Sequence, residues 1–261
     1  MYINFQTDGA IARLTLDRPE RRNAMDRGFF RELQTHFERI ERDAAVRVVV
    51  LEARGASFSA GTDLMDAAAI AGIDSDEKLL AIIADMQQAF DAVEACGKPV
   101  LAAVHGHCLG GGLDLVCACD VRLAEKSAVF GLREVCMGIV ADLGVLQRLP
   151  PMVGEARARE LALTGRDFDA GEALQMGLVS RLCDDVQHLQ GETMKLARRI
   201  AANPPLAVKA TKTVLNFSRD RTTAEGLRLA ARQNLALLKT EDFKEALAAF
   251  REKRPPQFRG R

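Results

Sequence analysis

Three acidic residues in the middle of the chain have the chemical properties that proton transfer requires. Asp114, Glu134 and Asp142 are separated by 20 and 8 positions, and each has aliphatic neighbours in the sequence. A carboxylate near apolar groups or near another carboxylate has a raised proton affinity, which suits general acid–base catalysis near neutral pH. A surface acid, a helix cap and a salt bridge are the competing interpretation, because each residue alone fits one of those roles.

The spacing between Glu134 and Asp142 decides whether they could act on one substrate. In a single straight helix they would lie roughly 12 Å apart along the axis. Gly138, followed by the β-branched residues Ile139 and Val140, predicts an interruption of the helix. We therefore expect the two carboxylates to converge.

Two glycine-containing loops follow predicted buried strands and could bind a ligand through the main chain. They comprise residues 57–64, after a strand over 46–53, and residues 110–114, after a strand over 99–104. Ligands of open α/β sheets bind beyond the carboxyl ends of strands, and glycine allows a ligand to approach main-chain N–H groups closely. The loops could therefore supply two donors of an oxyanion hole, or they could be tight turns that only allow helix–sheet packing.

Known motifs for phosphate, metal or nucleophile sites do not account for these loops. The sequence contains no GxxxxGK[ST], no GxGxxG opening either loop and no GxSxG. The six cysteines form no CxxC pair, so a zinc site is not expected. We expect these cysteines to be reduced and mostly buried. His105 and His107 are two positions apart, which is a weak metal pattern, and packing or hydrogen bonding is the favoured role.

The remaining pattern predicts an α/β protein with a helical C-terminal part. Apolar clusters over 2–7 and 11–17 flank the turn dipeptide Asp8-Gly9 and predict a hairpin. Asp26 is the expected N-cap of a helix with an apolar stripe. Short strands are predicted at 119–124 and 128–131, and helices at 76–95, 110–118, 154–163, 170–176, 185–202, 205–217, 222–238 and 241–252.

Composition narrows the class of protein further. Lys plus Arg and Asp plus Glu both total 36, and the single tyrosine and absence of tryptophan leave few stacking surfaces, so a nucleic-acid partner is not expected. No apolar run is long enough to span a membrane. The N-terminus does not resemble a signal peptide and the C-terminus is not Ser-Lys-Leu, so a cytoplasmic location is predicted.

Taken together, the loops and the acids resemble the crotonase superfamily of enoyl-CoA hydratases and isomerases. The resemblance covers nearly the whole chain and is closest to the Δ3,5–Δ2,4-dienoyl-CoA isomerases. Several ordered motifs with preserved spacing carry it: RPERRNAM (18–25), SAGTDLMD (59–66), KPVLAAVHGHCLGGGLDL (98–115), GGGLDLVCACDVR (110–122), EVCMGIVADLGVLQRLP (134–150) and NFSRD (216–220).

The resemblance implies a crotonase fold, in which ββα units form a spiral core and C-terminal helices assemble trimers. The implied division is a core with the thioester site over residues 1–200 and a helical oligomerisation region over 201–261. The implied assembly is a homotrimer or a hexamer made as a dimer of trimers. The implied partner is an acyl-CoA thioester, with coenzyme A as part of the substrate and no separate cofactor or metal.

The resemblance also implies the roles of individual residues. The main-chain N–H groups of Thr62 and Gly111 are expected to form the oxyanion hole. Arg21 or Arg22 is expected near the CoA nucleotide. The substrate-binding residues implied in this way are Ala60, Gly61, Thr62, Asp63, Leu64 and Gly111.

The acids separate two activities within the superfamily. Typical hydratases have glutamate at positions 114 and 134 and glycine at 142, whereas this chain has Asp114, Glu134 and Asp142, as dienoyl-CoA isomerases do. The implied activity is the conversion of 3,5-dienoyl-CoA to 2,4-dienoyl-CoA in fatty acid β-oxidation. The alternatives are an enoyl-CoA hydratase, a thioesterase or other crotonase chemistry, and a catalytically idle CoA-ester binding protein.

Overall fold

The computed structural model describes residues 1–261 as an α/β protein with two sheets. The larger sheet has six strands in the order β1-β2-β3-β4-β6-β9, parallel except for the β1–β2 hairpin. Its strands are β1 (Ile3–Asp8), β2 (Ile11–Leu16), β3 (Val48–Ala53), β4 (Val100–Val104), β6 (Val121–Glu125) and β9 (Arg181–Cys183). The hairpin predicted around Asp8-Gly9 is confirmed.

The smaller sheet has three short strands in the order β5-β7-β8. They are β5 (His107–Leu109), β7 (Val129–Gly131) and β8 (Asp167–Asp169). An isolated bridge from Ser59 to Cys108 adds the first glycine loop to the edge of β5. From β4 to β7 the chain alternates between the two sheets, and the bridge from Ser59 places the first glycine loop beside the strand that leads into the second.

Twelve α-helices complete the fold. In chain order they are α1 (Arg27–Arg42), α2 (Leu64–Ala71), α3 (Asp76–Ala95), α4 (Gly111–Cys117), α5 (Val145–Arg148), α6 (Pro150–Val153), α7 (Glu155–Thr164), α8 (Ala170–Gln175), α9 (Val186–Ala201), α10 (Pro205–Phe217), α11 (Thr223–Leu237) and α12 (Glu241–Glu252). Short 3₁₀ helices lie at Pro19–Arg21, Glu134–Met137 and Ser218–Asp220. Asp26 caps α1 as predicted, because its carboxylate accepts the N–H groups of Gly28 and Phe29.

The larger sheet is buried on both faces, as expected for parallel strands joined by helices. Every residue of β3 is buried. Val49 and Leu51 belong to the main core, which also contains the apolar faces of α1 and α3. Val48 and Val50 point the opposite way and pack with residues of α9, because side chains alternate along a strand.

The helices after residue 201 pack on the core but leave many apolar side chains outside it. Lys212 of α10 is buried and its Nζ lies 2.7 Å from Asp120 Oδ2, at the start of β6. Arg47 donates to the main-chain oxygen of Phe258 at 2.7 Å, which ties the C-terminal segment back to the core. Several large apolar residues of these helices are exposed, namely Leu206, Leu215, Leu227, Leu235, Leu238, Phe243, Leu247 and Phe250. No helix is both long and apolar enough to cross a membrane.

Candidate active site

The two glycine loops lie in direct contact. Gly61 has a φ of +92°, and a β-carbon placed on it would lie 2.7 Å from the main-chain oxygen of Leu109 and 3.3 Å from the nitrogen of Gly111. A β-carbon placed on Gly111 would lie 3.5 Å from the nitrogen of Thr62. Any side chain at position 61 would therefore separate the loops, which explains the need for glycine there.

The main-chain N–H groups of Thr62 and Gly111 donate no hydrogen bond within the chain. Gly111 is the first residue of α4, where the leading N–H groups of a helix have no helical partner. The preceding residue, Gly110, has a φ of +49°. Two neighbouring N–H groups without partners are the arrangement that an oxyanion hole needs.

Two buried residues that the sequence reasoning did not select hold the first loop in place. Asn23 Nδ2 donates to the main-chain oxygens of Arg54 and Ser57, both at 2.9 Å. Ser59 Oγ donates to the Asn23 oxygen at 2.8 Å and accepts the N–H of Gly61 at 3.0 Å. Asn23 has a φ of +54°, a conformation that asparagine tolerates better than most residues. The signal available in the sequence was the asparagine itself, within the motif RPERRNAM (18–25).

The predicted substrate-binding segment lies beside these donors. Ala60 N–H donates to the Arg22 oxygen at 2.9 Å, so the exposed Arg22 lies next to the loop. Asp63 Oδ1 accepts the N–H of Met65 and caps α2. Leu64 begins that helix and is exposed. The segment is therefore accessible, while its glycine is fixed against α4.

Asp114 is buried with one oxygen bound and one free. Its Oδ1 accepts the N–H of Val145 at 2.7 Å, whereas its Oδ2 is buried and has no hydrogen-bond partner. Burial raises the pKa of Asp114 to about 8, and the charge of Glu134 adds to the increase, while the Val145 N–H opposes it. At neutral pH this carboxyl group is therefore mostly protonated.

Glu134 lies against the second glycine loop. Its Oε1 would be 3.2 Å from a β-carbon placed on Gly110, and its Oε2 is the only other buried side-chain polar atom in the chain without a partner. Burial raises the pKa of Glu134, and the charge of Asp142 raises it further. An unpaired buried oxygen costs stability, so this carboxylate is maintained in an unfavourable environment next to the free N–H groups.

Asp142 follows the break that Gly138 makes in the chain, whereas Glu134 precedes it. Gly138 ends the 3₁₀ helix with a φ of +75°, so the predicted break is confirmed. Asp142 is exposed overall, but partial desolvation raises the pKa of its carboxyl group. Its charge also raises the pKa values of Asp114 and Glu134, so the three acids lie within electrostatic range of one another.

Glu134 and Asp142 line two different cavities, whereas Asp114 is buried. Glu134 is the only charged residue lining a small cavity of about 170 Å³, whose other walls are Leu132, Val135, Ile139, Val140, Ala141, Leu146, Ala162 and Leu163. Asp142 instead lines a polar groove of about 590 Å³. Glu134 and Asp142 therefore line different cavities, one apolar and one polar.

His105 and His107 do not belong to this group. His105 Nε2 is 2.9 Å from the Gly55 oxygen, and His107 Nδ1 is 3.5 Å from Ser57 Oγ. The chain has no cluster of three or more His, Cys, Asp or Glu side chains arranged as metal ligands.

We expect Asp114→Asn to stabilise the protein at alkaline pH. The folded-state pKa of Asp114 lies above its unfolded value, so its stabilising contribution is complete below about pH 4 and is lost as the pH rises towards 8. Relative to the wild type, the free energy of unfolding of the variant should rise by ~4 kcal/mol between pH 5 and pH 9. Urea denaturation at both pH values and one protein concentration measures this, with the exposed Asp85→Asn as control. Parallel pH dependence in the variant and the wild type would contradict the raised pKa.

Comparison with known proteins identifies the class to which this fold and site belong. Residues 6–261 match the family model described as enoyl-CoA hydratase/isomerase. The structure superimposes on an enoyl-CoA hydratase from Bacillus anthracis with a TM-score of 0.94 and 33% identity, covering 100% of both chains. The chain therefore belongs to the enoyl-CoA hydratase/isomerase family, and its architecture is the crotonase fold.

More similar relatives carry a more specific name. A mitochondrial protein of Dictyostelium discoideum named Delta(3,5)-Delta(2,4)-dienoyl-CoA isomerase is 41% identical over 256 residues, covering 95% of this chain and 87% of the relative. A peroxisomal protein of Arabidopsis thaliana with the same enzyme name is 41% identical over 264 residues, covering 98% and 95%.

Proposed function

We propose that this protein converts 3,5-dienoyl-CoA to 2,4-dienoyl-CoA by transferring protons between carbon atoms at the two ends of the conjugated chain. The observation that carries the proposal is the grouping of Asp114, Glu134 and Asp142, all with raised pKa values, beside two main-chain N–H groups without partners. The names of the relatives from Dictyostelium discoideum and Arabidopsis thaliana support the same activity.

The first half of the reaction removes a proton from C2. The thioester oxygen accepts hydrogen bonds from the N–H groups of Thr62 and Gly111, which acidifies the C2 proton. The Glu134 carboxylate takes that proton, so the C2–H bond breaks and a dienolate forms. Its negative charge extends from the thioester oxygen along the conjugated carbons to C6.

The second half of the reaction adds a proton at C6. The protonated Asp142 donates it, so a C6–H bond forms while the double bonds move to C2=C3 and C4=C5. The raised pKa of Asp142 keeps more of this group protonated near neutral pH. Glu134 then loses its proton to solvent and Asp142 regains one, so the carboxyl groups return to their starting states. These steps use only groups of the chain, and coenzyme A enters as part of the substrate.

The position of Asp142 favours isomerisation over hydration. A hydratase needs two acids near C2 and C3 to add one water molecule across that bond. Here Asp114 has no exposed oxygen and is mostly protonated at neutral pH, so it is poorly placed to activate water. We propose that Asp114 instead stays protonated and accepts the N–H of Val145, so that it adds no further negative charge beside Glu134.

A direct assay with two substrates separates the candidate functions. With 3,5-dienoyl-CoA, we expect the absorbance of the 2,4-diene to appear at longer wavelength. With crotonyl-CoA, we expect little loss of the conjugated absorbance. Efficient hydration of crotonyl-CoA without isomerisation would favour the hydratase, and release of free coenzyme A would favour a thioesterase.

We expect Gly111→Ala to impair the reaction by filling the oxyanion hole. The new methyl group would lie 3.2 Å from Thr62 Oγ1 and 3.5 Å from Thr62 N, between the two donors. Loss of one donor typically lowers kcat about 100-fold to 1000-fold, and steady-state kinetics measure it. Gly191→Ala is the matched control, because nothing lies within 4 Å of a β-carbon there. A kcat in Gly111→Ala equal to that of the control would contradict the role of these N–H groups.

The proposal also covers the oligomeric assembly of the protein and its cellular location. We propose that the exposed apolar side chains of the helices after residue 201 form the contacts of a homotrimer, with a hexamer as the larger assembly. The division at residues 200 and 201 and the role in β-oxidation are part of the same proposal. The relatives cited are named mitochondrial and peroxisomal, so the cytoplasmic location stays a prediction.

A further inference from the structure

One face of α3 holds the loop that carries Asp142. Gln87, Asp91 and Glu94 lie four and three positions apart, a spacing that places them on one side of a helix. Gln87 Nε2 donates to the main-chain oxygen of Asp142 at 2.6 Å. The first residue of this face therefore fixes the backbone at the proposed acid.

The other two residues of this face act through Arg148. The side chain of Arg148 is buried, and its Nη2 and Nε lie 2.5 Å from Asp91 Oδ1 and 2.8 Å from Glu94 Oε2. Its Nη1 donates to the main-chain oxygen of Leu143 at 3.2 Å. A β-carbon on Gly144, which has a φ of +112°, would lie 1.9 Å from Nη1. The loop is therefore wrapped closely around the guanidinium group.

The C-terminal helical region reaches this arrangement through the motif at residues 216–220. Arg219 pairs with Glu94 Oε1, the oxygen opposite the one that binds Arg148. Asn216 Nδ2 donates to the main-chain oxygen of Glu94 at 3.2 Å. Arg219 and Asn216 also line the polar groove that Asp142 lines. Glu94 is thus shared between a buried arginine of the core and an arginine of the C-terminal region.

We propose that Arg219, Glu94 and Arg148 form a positioning network that holds Asp142 at the C6 end of the substrate. The inference rests on the proposed isomerase function and gives the NFSRD motif a role in that reaction. Arg219 orients Glu94, Glu94 orients Arg148, and Arg148 holds the oxygen of Leu143 next to the acid. A displacement of about 1 Å in a reacting group can lower a rate 100-fold, so a network away from the substrate can control the protonation step.

If Arg219 contributed only to the stability of the fold, its replacement would not affect isomerisation selectively. Partly exposed ion pairs such as Arg219–Glu94 contribute little to the free energy of unfolding. The other charged residues of the groove do not replace this contact, because Asp220 and Arg221 pair with each other. Glu134 lies outside the network, so removal of the C2 proton by Glu134 should not depend on the network.

The test compares Arg219→Gln with Arg221→Gln. The two side chains line the same groove and are 37% and 40% exposed, but only Arg219 contacts Glu94. In Arg219→Gln we expect kcat for isomerisation to fall roughly tenfold with KM within about twofold, while deuterium exchange at C2 continues at the wild-type rate. Arg219→Lys should recover part of the loss, and Arg221→Gln should match the wild type. Equal losses of isomerisation and C2 exchange, or equal effects of both Gln variants, would overturn the network.

A second measurement is independent of any substrate. The N–H of Val145, three residues after Asp142, donates to Asp114 Oδ1. Amide hydrogen exchange across residues 142–145 should accelerate about tenfold in Arg219→Gln and remain unchanged in Arg221→Gln. Unchanged exchange in Arg219→Gln would contradict the network even in an active isomerase. Accelerated exchange in a protein whose wild type does not isomerise dienes would instead contradict the proposed function.

Discussion

Glu134→Gln is expected to abolish both isomerisation and deuterium exchange at C2. Glutamine has nearly the shape of glutamate but cannot accept the C2 proton, and Glu134 is the acid whose oxygen lies against Gly110, next to the free Gly111 N–H. We expect kcat to fall by at least about 1000-fold, within the range for loss of a general base. Stopped-flow absorbance with 3,5-dienoyl-CoA measures isomerisation, and mass spectrometry in D₂O measures exchange.

Binding and folding controls make the Glu134 result specific. Calorimetric affinity for a saturated acyl-CoA should remain within a few-fold of the wild type, because the main-chain donors are unchanged. Glu155→Gln, at an exposed position on α7, makes the same chemical change away from the site and should keep full activity. Retention of C2 exchange in Glu134→Gln would show that another group is the base.

Asp142→Asn is expected to abolish isomerisation and to leave C2 exchange in place. The variant keeps the oxyanion hole and Glu134, so the dienolate still forms and returns its proton to C2. It lacks the acid that protonates C6, and we expect isomerisation to fall about 100-fold to 10,000-fold. The affinity for the CoA ester should be nearly unchanged, because the role proposed for Asp142 is at C6 and the main-chain donors that bind the thioester are unchanged.

The separation of the two rates distinguishes a pair of acids from a single shuttling residue. If Glu134 carried the proton from C2 to C6 by itself, Asp142→Asn would isomerise at the wild-type rate, and the role proposed for Asp142 would be wrong. Asp220→Asn is the matched control, because it makes the same change in the same polar groove. Full activity in the control and loss in Asp142→Asn would assign the effect to the acid itself.

Much of the secondary structure was predictable because its signals are local. The helix predicted over 76–95 is found at Asp76–Ala95, and the hairpin and the long helices after residue 152 lie within a few residues of their predicted bounds. Apolar periodicity and capping residues act within one segment and can be read from it. The strands β5, β8 and β9 were not predicted, although β7, which has the same length of three residues, was. A three-residue segment carries little periodicity of its own, and each of these strands is defined by its pairing partner.

The helix α2 was missed for a related reason. Its sequence over Leu64–Ala71 is apolar at every position except Asp66, so it shows no helical alternation of apolar and polar residues, and none of its residues is buried. The carboxylate of Asp63 caps this helix. The carboxylate of Asp66 accepts the N–H of Arg27, the first residue of α1. Its position therefore depends on a neighbour 39 positions away.

The sequence by itself determined the α/β class, the two glycine loops, the three acids and, through ordered motifs, the family. Only the tertiary structure showed that the N–H groups of Thr62 and Gly111 have no partners, that Asp114 and Glu134 each keep one buried oxygen unpaired, and that a face of α3 holds the loop of Asp142. The reason is physical, because burial and hydrogen-bond satisfaction depend on segments that are far apart in the chain. Residue types and spacing specify which groups are available, and packing decides their protonation and their partners.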